Sequence, residues 1–256
     1  MLFETIVGPI HSRRLGSSLG INLLPQERKL CTYDCIYCEC GWNSETEKKA
    51  IKLPTFEEVS ELLEKRLQEL VAQGVPVDSF TFAGNGEPTL HPQFPQVADF
   101  VMKMRDKYYP KAVVTLLTNA TQLSRPEVFD AVLKLDNPVL KLDAGTAAMR
   151  TAINKPNKPE HTFEQLVDNL VRFGNRCIVQ TLLLRGENDG HAISNVSDEE
   201  FAKYVEIVKK IGPKYVMLYA IDRATPEKKL EKLSVEELEK YAQIIRNEGI
   251  EVKVYG

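Results

Sequence analysis

Short apolar runs bounded by proline, glycine and polar residues alternate along the chain with longer segments whose apolar positions recur every three or four residues. The short runs predict strands at Ile21–Leu24, Phe80–Ala83, Val113–Thr118, Val139–Leu142, Ile178–Leu184, Tyr215–Tyr219 and Val252–Tyr255. Strand and helix in strict alternation is the pattern of repeated β-α units around a parallel sheet. Five helices are expected to open with capping boxes, in which a hydroxyl and a carboxylate or amide three residues later satisfy each other's backbone N–H groups. The pairs are Thr55 with Glu58, Ser124 with Glu127, Thr162 with Gln165, Ser197 with Glu200 and Ser234 with Glu237. The first of these helices, about Thr55 to Gln73, places Val59, Leu62, Leu63, Leu67, Leu70 and Val71 on one stripe and stops at Gly74.

No internal repeat or long linker divides the sequence, so one domain over residues 1–256 is expected. Its least regular stretch runs from Cys31 to Pro54, just after the first predicted strand. A loop of that length in a compact domain is usually functional. The charged segment from Lys228 to Gly249 reads as a solvated helix face.

Composition changes this picture only by exclusion. With 43% hydrophobic and 27% charged residues, the chain is too apolar for disorder and too varied for a collagenous or low-complexity protein. Lys and Arg number 33 against 36 Asp and Glu, a formal charge of -3, so no global field draws it to nucleic acid. No apolar run reaches the length of about 20 residues that crosses a bilayer, and the start lacks the pattern of a signal peptide. A cytoplasmic protein without membrane contact is the expectation.

The cysteines bring in chemistry. Four of five, Cys31, Cys35, Cys38 and Cys40, crowd into ten residues, whereas disulfide frameworks spread theirs. Three thiolates spaced C-x3-C-x2-C can each hold one iron of a 4Fe-4S cubane, leaving the fourth iron open to an external ligand. A four-cysteine zinc knuckle and a closed ferredoxin-like cluster are the competing readings, although Cys38-Glu-Cys40 is tighter than a usual zinc pair. Cys40 is assigned no ligand role. Cys177, opening a predicted strand, reads as a small core hydrophobe.

The segment Cys31-Thr-Tyr-Asp-Cys35-Ile-Tyr-Cys38 resembles the C-x3-C-x-aromatic-C signature of the radical S-adenosylmethionine (SAM) superfamily. The longer run SRRLGSSLGINLLPQERKLCTYDCIYC is similar to a subgroup of iron-sulfur oxidoreductases related to the wyosine tRNA synthetases. The resemblance implies an α/β fold, a partial (β/α)6 TIM-like barrel with the motifs at one rim. It also implies a 4Fe-4S cluster on Cys31, Cys35 and Cys38 and S-adenosyl-L-methionine as the second cofactor, with Tyr37 beside the adenine. The activity implied is reductive cleavage of S-adenosylmethionine to a 5'-deoxyadenosyl radical that abstracts hydrogen from an unidentified substrate. An external electron donor such as flavodoxin or ferredoxin follows as partner. A tRNA base remains an alternative substrate, opposed by the acidic balance.

Downstream, Gly84-Asn85-Gly86-Glu87-Pro88 follows the second predicted strand. Its glycines let backbone approach a ligand, and its acceptors suit an ammonium group. In this place it resembles the superfamily's Gly-Gly-Glu motif for the methionine amino group, with Asn85 standing where many members have glycine. Thr118 and Asn119 end the next strand, either as a simple turn or, by the resemblance, as contacts to the cofactor's carboxylate or ribose. Lys141 and Asp143 share a strand face by the period of two. They either pair with each other or divide ribose and carboxylate binding between them. Gln180, polar within an apolar run, is a cofactor contact or a hydrogen-bonded core residue. Tyr219 and Arg223 lie at the end of a strand, where Arg223 is a substrate contact or a surface ion pair. Arg13 and Arg14 are candidate anion contacts, while His91 and His161 read as turn residues near helix starts.

Overall fold

The computed structural model describes residues 4–43 and 51–256. The chain forms two compact units: Met1–Cys31 with Asn43–Thr118 and Gln122–Pro138, and Thr32–Trp42 with Asn119–Thr121 and Val139–Gly256. Of the irregular stretch expected between Cys31 and Pro54, residues 44–50 lie outside the described residues. Among the described residues no helix is long and apolar enough to cross a membrane.

In the first unit, β1 (Ile6–Ser12) and β2 (Gly16–Ile21) form an antiparallel hairpin. β2 then runs parallel to β3 (Ser79–Phe82), and β3 parallel to β4 (Val113–Thr118), with Ile21 opposite Phe82 and Phe82 opposite Leu116. The polar residues in these buried strands satisfy one another. A hydroxyl ladder runs from Ser18 to Thr81 (2.8 Å), Thr81 to Ser79 (3.0 Å) and Ser79 to Thr115 (3.0 Å), which removes the cost of burying lone hydroxyls. The helices of this unit are α1 (Phe56–Ala72), α2 (Phe94–Tyr108) and α3 (Pro126–Leu133). α1 buries Val59, Leu63, Leu67 and Leu70 as its stripe requires, while Leu62 and Val71, at its margins, are about half exposed.

The first predicted strand is displaced. β2 ends at Ile21, where the run Ile21–Leu24 was expected to begin, because the Asn22 side-chain oxygen accepts the Leu24 N–H at 3.1 Å and turns the chain. β1 was not predicted, since Gly8 and Pro9 interrupt its alternation.

In the second unit, β5 (Asn137–Lys141, from Val139 onward) pairs parallel with β6 (Ile178–Leu182). Beyond β6 lie β9 (Tyr215–Tyr219) and β11 (Val252–Tyr255), also parallel. A separate antiparallel sheet joins β10 (Leu230–Lys232), β7 (Leu184–Asn188) and β8 (His191–Ser194). The helices are α4 (Ala147–Asn154), α5 (Phe163–Phe173), α6 (Asp198–Ile211) and α7 (Val235–Asn247). The single strand expected over Ile178–Leu184 is two strands in different sheets. Asn195 causes the break: it accepts the Leu184 N–H at 2.8 Å and donates to the carbonyls of Leu182 (2.7 Å) and Asp143 (2.9 Å), replacing ladder partners with its own amide.

Complete capping boxes form at Thr55/Glu58 and Ser234/Glu237. Thr162 accepts from the Gln165 N–H. The two remaining expectations fail. α3 starts at Pro126 after Arg125, leaving Ser124 outside the cap. Ser197 makes no side-chain cap bond, because Glu200 is drawn to the Gly145 and Thr146 N–H groups (2.6 and 3.1 Å) and the Thr146 hydroxyl (2.8 Å).

Candidate functional site

The residues singled out by sequence fall in both units. In the first, the chain leaves β3 into Gly84-Asn85-Gly86-Glu87. Gly86 has φ +140°, and a Cβ there would stand 1.8 Å from the Leu30 carbonyl oxygen. The two segments are joined by Leu30 N–H to Asn85 O (2.8 Å) and Glu87 N–H to Leu30 O (3.0 Å). The glycine therefore admits the chain's own backbone immediately before Cys31. Gly84 makes room in the same way for the Asn22 amide, which a Cβ would approach to 2.1 Å. Asn85 is fully buried and donates to Pro25 O at 2.8 Å.

Glu87 is buried at the start of a 3-10 turn, Pro88–Leu90. Its Oε1 accepts from the Thr89 N–H (3.1 Å), the Thr89 hydroxyl (2.5 Å) and the Thr118 hydroxyl (2.6 Å). Thr118 and Glu87, predicted separately, are thus one group. The Cys31 N–H donates to Asn43 Oδ1 at 3.1 Å.

In the second unit, the loop from Thr32 to Trp42 lies along the end of α4 and the residues just after it. Asp34 and Ile36 donate backbone N–H groups to Asn154 O (3.0 Å) and Ile153 O (2.9 Å), and Asn157 donates to Thr32 O (3.0 Å). Cys38 N–H closes a turn on Cys35 O at 3.0 Å. Asn119 reaches the same loop through its Nδ2, which donates to the Thr32 hydroxyl at 2.8 Å.

Behind Cys35 is a polar hub. The Asn154 amide donates to Asp143 Oδ2 at 2.8 Å and stands 3.4 Å from Cys35 Sγ and 3.3 Å from the Tyr37 hydroxyl. The Tyr37 hydroxyl donates to the same Asp143 oxygen in a short bond. The other oxygen of Asp143 accepts from Leu182 N–H at 2.9 Å and faces Lys141 Nζ at 3.4 Å. Four donors fill the roughly four acceptor sites of a carboxylate. Asp143 is therefore taken up by the protein itself, and the ion pair foreseen with Lys141 is formed. Lys141 Nζ also donates to the Tyr219 hydroxyl at 2.8 Å and lies 5.1 and 5.3 Å from the Tyr37 and Tyr219 ring centroids.

Burial shapes the titration of this hub. It pushes the Cys35 thiol up to about 11 against the opposing charge of Lys141. Burial alone would lower Lys141, but Asp143, Tyr219 and Cys35 outweigh it, so the ammonium holds its proton more firmly than in water. Tyr37 is raised by burial and then by Asp143. Gln180, opposite Lys141 in the β5–β6 register, is buried and its side-chain amide hydrogen-bonds no described residue. Of the buried polar side chains foreseen from the sequence, Gln180 is the one presenting an uncommitted amide.

Other expectations resolve into structural roles. Arg223 pairs with Glu39 at 2.9 Å on the surface. Cys177 is fully buried with its thiol pushed up to about 12 by burial. His91 is buried, joined to Pro54 O at 2.8 Å and to the Gln93 N–H at 3.2 Å. Sequence reasoning missed Asn22, Asn154 and Arg150, and gave Glu200 only a capping role. Asn154 sits at the end of α4 before Lys155 in the left-handed region, where an asparagine reads as ordinary helix termination. Among the described residues no three Cys, His, Asp or Glu side chains converge on one ion; a cubane takes its thiolates one to each iron.

Residues 29–196 match the family model described as the Radical SAM superfamily. Among curated proteins, one from Brachyspira hyodysenteriae named GTPase Obg is 32% identical over 98% of this chain, which spans only 35% of that protein. A UPF0026 protein from Helicobacter pylori strain J99 is 31% identical over 91% of this chain and 71% of its own length. Among solved structures, a radical SAM methyltransferase from Sphaerobacter thermophilus aligns at TM-score 0.65 with 16% identity, covering 93% of this chain and 65% of the other. A structure of TYW1 with a lysine-pyruvate adduct aligns at 0.60 with 17% identity, covering 91% and 75%. These two structures share the α/β fold of the partial-barrel class that the sequence resemblance implies. The family match spans about two thirds of the sequence, including all three motif cysteines, and the chain belongs to the radical SAM superfamily.

Proposed function

We propose that the chain is a radical SAM enzyme whose 4Fe-4S cluster is held by Cys31, Cys35 and Cys38 and whose second cofactor is S-adenosylmethionine. The observation that carries this reading is the provision made for Cys35: a buried thiol with an amide N–H at 3.4 Å and a held lysine cation in its field. Those are the outer partners that a metal-bound thiolate uses, and they lie within the segment matching the family. When bound, the cluster would supply the electron for reductive cleavage of S-adenosylmethionine, the chemistry by which hydrogen would be abstracted from the substrate.

The chain's own residues bind, orient and exclude water. Loading the cluster draws the proton from Cys35, whose raised pKa makes assembly favoured by higher pH. Lys141 stays cationic and suits a carboxylate, while the open Gln180 amide suits a hydroxyl or carbonyl. Asp143 orients Tyr37 and Asn154 rather than taking a ligand itself. Glu87 braces Thr118 and the turn after Gly86, and its carboxylate is the acceptor that suits the methionine amino group. An external one-electron donor such as flavodoxin or ferredoxin completes the system.

Anaerobic reconstitution with iron and sulfide, followed by dithionite and S-adenosylmethionine, tests the reading. Formation of 5'-deoxyadenosine that disappears in Cys31→Ala, Cys35→Ala and Cys38→Ala is expected. Zinc bound without sulfide overturns it. The resemblance of the segment from Ser12 to Cys38 to the wyosine-related subgroup keeps a tRNA base among the substrate classes, and salt-sensitive tRNA binding would select that class.

A further inference from the structure

The second unit buries an arginine without an acid. Arg150, on α4, is 4% exposed. Its Nε donates to the Tyr33 hydroxyl at 3.0 Å, and its guanidinium lies 5.1 Å from the centroid of that ring. Its Nη2 is buried without a hydrogen-bond partner, and among the described residues no carboxylate stands within ion-pair distance of it. A buried charge in that condition is costly unless something answers it.

Beside Arg150 is a cavity of about 10 Å³, lined also by Thr121, His161, Thr162, Gln165 and Asn169. Two features make its wall positive and a third supplies a hydrogen-bond donor. Arg150 is a permanent cation. His161, whose pKa burial lowers, contributes as a neutral ring a buried Nε2 without a partner, a donor in the tautomer that carries its proton there. Thr162 is the N-cap of α5, an 11-residue helix whose first turn presents the positive end of its dipole. None of the lining residues is acidic, and the acid in the first turn of α5, Glu164, is exposed. Glu160, next to His161 in sequence, is exposed and pairs with Lys158 at 3.8 Å.

We propose that this cavity is a small-anion site, holding one halide-sized ion among Arg150, His161 and the start of α5. Its volume is at the lower limit for one water molecule, so a monatomic anion such as chloride, itself larger than water, seats only because the cavity is open at its rim, and phosphate and carboxylate metabolites are disfavoured. Exposed Thr162 and Gln165 form the rim through which the ion exchanges. The ion acts through Arg150 on Tyr33, which lies between Cys31 and Cys35, so it positions the cysteine loop without touching it. The site stands on observations separate from the radical chemistry and does not depend on it.

Crystals of the full chain grown in bromide should show an anomalous peak at Arg150. Thermal melting in chloride should exceed that in gluconate at equal ionic strength. At ten times the dissociation constant the folded state gains about 11-fold, about 1.4 kcal/mol, which raises Tm by about 3–5 °C. Gln165→Glu places a carboxylate at the rim in a helix first turn that favours acids and should abolish the chloride dependence, as should Arg150→Met. If Arg150→Met fails to fold, Gln165→Glu still decides. A water without anomalous signal overturns the proposal, and so does a chloride effect equal in wild type and Gln165→Glu, which would be a general salt effect.

Discussion

Gly86→Ala isolates the contact that delivers the first motif cysteine. The new Cβ would stand 1.8 Å from Leu30 O and 2.4 Å from Leu30 C, both backbone atoms that no rotamer change can move aside. Relief requires opening the pair of hydrogen bonds between Leu30 and the Asn85–Glu87 segment, 2.8 and 3.0 Å in length. Each such bond contributes about 0.5–1.5 kcal/mol net. Holding an alanine at φ +140° adds about 1–3 kcal/mol of strain. The sum centres near 4 kcal/mol, and at about 2–4 °C per kcal/mol for a chain of this size Tm should fall by about 8–16 °C. Gly74→Ala is the control, since Gly74 also has a positive φ, +66°, but a Cβ there meets nothing within 4 Å. It should cost only about 1–2 kcal/mol. Calorimetry or circular dichroism melts read both, and iron bound per chain after reconstitution reads whether Cys31 is still delivered. If Gly86→Ala melts no lower than Gly74→Ala, the glycine is not there to admit Leu30, and its role passes to ligand approach.

Three further outcomes follow from the site. Asn154→Leu removes the N–H near Cys35 Sγ. Because such bonds favour the more negative, reduced cluster, potentiometry followed by electron paramagnetic resonance should give a midpoint roughly 30–60 mV more negative, a 3–10-fold change in the one-electron ratio; an unchanged midpoint refutes the contact. Lys141→Met should weaken S-adenosylmethionine binding by about 10–100-fold, the loss of one charge-assisted bond, compared at equal iron content; equal affinity by calorimetric titration removes Lys141 from the binding set. Burial lowers the His91 pKa, so the unfolded chain takes up its proton first. The resulting stability is complete above about pH 6.5 and is lost as pH falls through the lower folded value. His91→Gln should therefore flatten the slope of Tm between pH 7 and pH 5, where wild type declines.

What the sequence discloses, and what it withholds, divides along a physical line. Positions that depend on periodicity are legible: β4, β9 and β11 have the bounds that their apolar runs predict, and of the two readings that the period of two leaves for Lys141 and Asp143, pairing or cofactor binding, the structure shows the pair. Positions that depend on one side chain capturing a distant backbone are not. Asn22 and Asn195 each bend a predicted strand, and Glu200 leaves its own cap for Gly145, 55 residues away. The same reason hides the state of Asp143. Its partners Asn154, Leu182 and Tyr37 are 11, 39 and 106 positions distant, so no local pattern could reveal that a carboxylate suited to a ribose is already saturated. Gln180 shows the converse, since a polar residue inside an apolar strand reads equally as a satisfied core amide or an available one. The structure shows Gln180 buried, with no hydrogen bond from its side-chain amide to a described residue. A motif cysteine can therefore be found by spacing alone. Its outer partner Asn154 cannot, because a helix-ending asparagine and a thiolate donor look the same until the fold sets the amide 3.4 Å from sulfur.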